Sequence, residues 1–65
     1  MDGTIRKDIH PGQVVVVVQK ADQKTGRMTQ GIVQEILTSA PVHTRGIKVR
    51  LDTGEVGRVQ HIQEE

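Results

Sequence analysis

One phrase occurs twice in this chain. Gly31-Ile32-Val33-Gln34-Glu35-Ile36 and Gly57-Arg58-Val59-Gln60-His61-Ile62 both read G-x-V-Q-x-I, and Gly12-Gln13-Val14 is a shorter echo. Within 65 residues, such a repeat predicts short strands that each begin at a glycine. Glycine there lets the backbone bulge or turn sharply, after which Val and Ile reach a core. The expected architecture is a small, tightly curved β-barrel, which suits a binding module.

A chain of this length supports one core. Its stability is expected to be on the order of a few kcal/mol. There is no cysteine, so neither a disulfide nor a thiolate metal site can staple it. Cohesion must come from Val, Ile and Leu. No segment approaches the roughly 20 apolar residues of a membrane span. The start, Met1-Asp2-Gly3-Thr4-Ile5, has no apolar signal-peptide core. A soluble cytoplasmic protein is expected.

The net charge is only +1, but the charges are unevenly placed. Residues 20–58 hold seven cations (Lys20, Lys24, Arg27, Arg45, Lys48, Arg50, Arg58) against four acids (Asp22, Glu35, Asp52, Glu55). The other acids, Asp2, Asp8, Glu64 and Glu65, lie toward the ends. A basic body is a footprint suited to nucleic acid. The chain has no Phe, Tyr or Trp. That argues against proline-rich peptide recognition, which uses an aromatic-lined groove. It also argues against single-strand binding by base stacking, unless His or Arg planes substitute.

Along the chain, residues 1–10 read as a flexible or lightly docked arm, with a short helical turn around Arg6-Lys7-Asp8-Ile9. Pro11-Gly12 is a turn signal. The β-branched run Val14–Val18 predicts a strand. A polar loop follows, with turn chemistry at Thr25-Gly26. A second strand is expected over Thr29–Leu37, then a loop over 38–45 broken by Pro41. Ile47-Lys48-Val49-Arg50-Leu51 alternates apolar and basic, so Ile47, Val49 and Leu51 face inward and Lys48 and Arg50 outward. Asp52-Thr53-Gly54 predicts a tight hairpin loop. Glu55–Val59 returns antiparallel, with a bulge expected at Gly57. Gln60-His61-Ile62 closes the layout as a turn or a final brief strand.

This order predicts an all-β, SH3-like barrel, five-stranded, partly open and antiparallel, over residues 11–62, with 63–65 as a tail. An OB-type barrel is the alternative. Gly31, Val33 and Ile36 resemble the KOW-type motif of SH3-like barrels in ribosomal proteins and transcription elongation factors. A longer run is more specific: Asp22-Gln23-Lys24-Thr25-Gly26, Gly31-Ile32-Val33, Leu37-Thr38-Ser39, His43, and Gly46 through Val59. It resembles the YwbE family, a small bacterial and archaeal domain family of unknown function. The resemblance covers roughly residues 8–62. It implies a fold and a cytoplasmic setting, and no established activity.

The leading candidate site is a basic face of Lys24, Arg27, Arg45, Lys48, Arg50 and Arg58. Such side chains neutralise phosphates and release counterions, so RNA or a ribonucleoprotein is the expected partner. The plainer reading is a solvated sheet face, with Lys48 and Arg50 paired to Asp52 or Glu55. Thr38, Ser39 and His43 form a donor-rich loop that could contact phosphate or sugar. Turn capping by the two hydroxyls is the competing and favoured explanation. Ser39, His43 and Asp52 can be written as a nucleophilic set, but no nucleophile-elbow context supports it. His10, His43 and His61 match no compact metal spacing. No cofactor is implied, and catalysis is not expected. The second functional reading is a protein-interaction module. It would use the loop over 38–45, or Val14–Val18 as an edge strand open to β-augmentation or homodimerisation. Burial of that strand between two packed sheets is the favoured alternative.

Overall fold

The computed structural model describes residues 3–22 and 24–63. Residues 1, 2 and 23 lie outside the described residues, as do 64 and 65, most of the expected C-terminal tail.

Four antiparallel strands close into a barrel: β1 (Val14–Val18), β2 (Thr29–Ile36), β3 (Lys48–Leu51) and β4 (Val56–Ile62). The closure depends on two long strands that each serve two neighbours. β2 pairs with β1 through Thr29–Ile32 and with β3 through Val33–Ile36. β4 pairs with β3 through Val56–Arg58 and with β1 through Arg58–Ile62. Both contain a register shift. Val33 opposes Leu51 and Glu35 opposes Arg50, which leaves Gln34 as the extra residue. Val16 opposes His61 and Val17 opposes Val59, which leaves Gln60 extra. An extra residue bends a strand and increases its twist, which a four-stranded ring requires.

Three expectations are corrected. There are four strands among the described residues, not five, because Gln60-His61-Ile62 is the far half of β4 beyond its bulge. The barrel is closed, not partly open, because that half pairs with β1. The bulge falls at Gln60, not at Gly57. Gly57 is needed for close approach instead: a Cβ there would lie 2.8 Å from the Val18 carbonyl and 2.9 Å from Val17 Cγ2. Gly31 similarly makes room for Leu51, whose Cδ1 would be 2.6 Å from an added Cβ.

The core is entirely aliphatic: Ile9, Val15, Val17, Val33, Ile47, Val49, Leu51, Val59 and Ile62, with Ile36 packed against it. Alternation along β3 is as expected, with Val49 and Leu51 fully buried and Lys48 and Arg50 exposed. The hairpin after β3 is also as expected. Gly54 N–H donates to the Leu51 carbonyl at 2.9 Å, Leu51 N–H donates to the Glu55 carbonyl at 2.7 Å, and Gly54 has φ 94°. This is a type I turn completed by a left-handed glycine.

β1 is not an edge strand. It is hydrogen-bonded to β2 on one side and to β4 on the other, so it offers no free backbone for β-augmentation. Only Val15 and Val17 are fully buried, while Val14, Val16 and Val18 remain half-buried on the outer face. The strand therefore has one core face, not two.

Residues 3–9 are docked against the barrel. Ile47 N–H donates to the Gly3 carbonyl at 2.7 Å, His43 N–H to the Thr4 carbonyl at 2.9 Å, and Arg6 N–H to the Pro41 carbonyl at 2.9 Å. Ile5 bridges Val42. The expected turn is a 3-10 turn at Arg6–Asp8, and it delivers Ile9 into the core at 3% exposure. Ile9 thus packs in the same core as the strands. Among the described residues, no helix is long and apolar enough to cross a membrane.

Candidate nucleic-acid interface

The outer face of the β1–β4–β3 ladder carries the cations. Outward positions alternate with core positions, so Val18, Arg58 and Lys48 form one row across three strands. Arg58 opposes Val18 on one side and Lys48 on the other. Arg45 enters from the turn before β3. That turn is closed by Gly46 N–H donating to the His43 carbonyl at 3.0 Å, and by Arg45 N–H donating to His43 Nδ1 at 3.2 Å. Gly46 has φ 104°, and a Cβ there would overlap the Val59 carbonyl, so the turn is fixed against the barrel wall.

Lys20, Arg45, Lys48 and Arg58 together line a shallow depression whose floor is Val18, Val56 and Gly57. Among the described residues, no carboxylate lines it. Arg58 is half-buried and held in place by donating from Nη1 to the Gly46 carbonyl at 3.1 Å. Arg45 and Arg58 also border an adjoining depression with Val18 and Gln60. Gln60 Nε2 donates to the Arg45 carbonyl at 3.0 Å and to the Arg58 carbonyl at 3.3 Å, tying the two arginine-bearing segments together.

Of the six cations singled out from sequence, the structure brings together three: Arg45, Lys48 and Arg58. Arg50 faces outward on β3 but is engaged by Glu35, with Nη1 donating to Oε1 at 2.6 Å. Its partner is neither Asp52 nor Glu55. Glu55 instead accepts from Gln19 Nε2 and Thr53 Oγ1, both at 2.9 Å. Lys24 and Arg27 are exposed on the loop between β1 and β2 and do not line the depression. Lys20, which sequence reasoning passed over, does. Its signal was its position just beyond Val18, the residue paired with Arg58.

The loop over 38–45 is largely occupied with backbone. Thr38 Oγ1 accepts from Lys48 N–H at 2.7 Å, and the Thr38 carbonyl accepts from Arg6 Nε at 2.8 Å. His43 Nδ1 accepts within the turn before β3. Ser39 instead lines a separate groove with Ile5, Arg6, Lys7, Pro41 and Val42. No hydrogen bond joins Ser39, His43 and Asp52. Among the described residues, no group of three His, Asp or Glu side chains gathers as a metal site.

A small closed β-barrel with four cations gathered at one depression of its outer wall is thus the class of protein in hand. The chain belongs to the YwbE family, of unknown function: the model of the family described as "Uncharacterized conserved protein (DUF2196)" matches residues 2–62. It is similar to "Uncharacterized protein YwbE" of Bacillus subtilis (strain 168), with 52% identity over 62 residues, 95% of each chain. No solved structure matches it.

Proposed function

We propose that this domain is a non-catalytic, SH3-like, KOW-like module of the cytoplasm that binds RNA or a ribonucleoprotein through Lys20, Arg45, Lys48 and Arg58. One observation carries the reading. Lys48 and Arg58 are direct cross-strand partners, and among the described residues no acid lines the depression they share with two further cations. Like charges placed opposite one another on a sheet are destabilising. A surface that accepts this cost is suited to an anionic partner, and phosphates supply the missing charge. Lys24 and Arg27, on the loop that begins at Lys20, are candidates for peripheral contacts.

A second reading, docking of a protein segment, is favoured by the groove of Ile5, Pro41 and Val42 beside Ser39. Val42 is 57% exposed there.

The test is a two-dimensional amide NMR titration of the full chain with an RNA hairpin carrying both a stem and a single-stranded loop. The expected result is salt-reversible shifts at residues 18–20, 45–48 and 56–60. No shifts at low salt, where screening is weakest, would overturn the reading and turn attention to the groove at Ile5 and Val42.

A further inference from the structure

We infer that the RNA taken by the cationic seat is double-stranded, read through its phosphates without regard to sequence. The inference rests on the RNA reading above and narrows it to a substrate class.

The first argument is what the surface lacks. Proteins that hold single strands stack successive bases on aromatic side chains. This chain has no Phe, Tyr or Trp to stack on. Its seat gathers four cations beside Val18, Val56 and Gly57, groups that hold a nucleotide chiefly by the charge of its phosphate.

The second is charge density. A DNA duplex presents one negative charge per about 1.7 Å of axis, against about 3.4 Å for one of its strands, and pairing two strands concentrates charge in an RNA duplex in the same way. A surface that attracts by charge alone gains more from the denser array.

The third is rigidity. Lys48 and Arg58 stand on hydrogen-bonded strands of a closed barrel. Arg58 is further held by the Gly46 carbonyl, and Arg45 by a turn closed on His43. A flexible single strand must be ordered to match such a fixed set, at an entropic cost, while a duplex is already ordered. Sequence readout is disfavoured for the same reason. The Arg58 guanidinium and the Gln60 amide each donate to backbone carbonyls, which leaves less of either to address base edges, and the A-form major groove is too deep and narrow for side chains to read.

The experiment compares the full chain against two short RNA duplexes of unrelated sequence and a uridine oligomer with the same number of phosphates, at one low salt concentration. The two duplexes are expected to bind within about twofold of each other, and the uridine oligomer roughly tenfold more weakly. Lys20→Ala should weaken duplex binding severalfold, whereas Arg50→Ala, whose guanidinium Glu35 already engages, should leave it within about twofold. A uridine oligomer bound as tightly as the duplexes would overturn the inference while leaving the RNA reading intact. So would a difference of about tenfold or more between the two duplexes. Failure of all three RNAs to bind would overturn the RNA reading itself.

Discussion

Lys48 meets Arg58 directly across the β3–β4 ladder, and among the described residues neither has an acidic side chain as partner. Lys48→Thr removes the repulsion and places a β-branched residue on a strand that favours it. Urea unfolding should show a gain of about 0.2–1 kcal/mol, while duplex RNA affinity falls severalfold. A loss of stability would mean that the Lys48 ammonium supports the fold and is not spare charge. Gly46 lies at the opposite extreme. Its φ of 104° and its approach to the Val59 carbonyl forbid a side chain. Gly46→Ala should cost more than about 2 kcal/mol, a large share of what a domain this small possesses, seen as a lower thermal midpoint. The two positions were unequally legible. The alternation of Ile47 to Leu51 declares that Lys48 faces out. Nothing local declares that Gly46 must pass against β4, because that contact is made by a residue thirteen positions away.

At the scale of the element, the repeated phrase explains itself. Gly, Val and Ile of G-x-V-Q-x-I all face the core: Gly31 against Leu51, Val33 at 2% exposure and Ile36 beside the cluster; Gly57 against Val17, Val59 at 1% and Ile62 at 3%. Side chains on a regular strand alternate with period two, so Val and an Ile three positions later would face opposite ways. They share a face only if one residue between them is extra, and in both copies that residue is the Gln. The V-Q-x-I spacing therefore encodes the bulge, and it was readable in the sequence. The neighbouring glycines mask it, because glycine is also a bulge-former. Deleting Gln34 should leave Val33, Glu35 and Ile36 in a regular in-out-in order opposite Leu51, Arg50 and Val49, so it removes only the bend that closes the ring. The amide spectrum should stay dispersed while the thermal midpoint falls. Gln34→Ala keeps the count, and since Gln34 is exposed its stability should stay within about 0.5 kcal/mol of the parent. The N-terminal segment belongs to the same scale. Its mixed residues show no periodicity, so only the structure reveals that Ile9 fills the core. Ile9→Ala should cost about 2–5 kcal/mol by urea unfolding, whereas an undocked arm would tolerate it.

The whole molecule measures 28 × 23 × 21 Å and carries a net charge of +1. With so little net charge, attraction to a polyanion must arise locally, at the seat, and not from the field of the protein as a whole. Which cations belong to that seat was the least legible property of the chain. In the sequence, Lys24 and Arg27 are marked only by charge in a polar loop and Arg50 only by its outward position on β3. Ring closure and the bulge at Gln60 instead bring β1 beside β4, which selects Lys20, and Glu35 claims Arg50 across the β2–β3 ladder. The salt dependence of duplex binding counts the members directly. Each neutralised phosphate contributes about 0.9 to the slope of log affinity against log salt. Four cations set that slope at about −3 to −4. Lys20→Ala or Lys48→Thr should each make it shallower by about 1, and Arg50→Ala should leave it where it was. A slope of about −5 to −6 in the parent would bring Lys24 and Arg27 back into contact with the phosphates, and their alanine variants would then carry the difference.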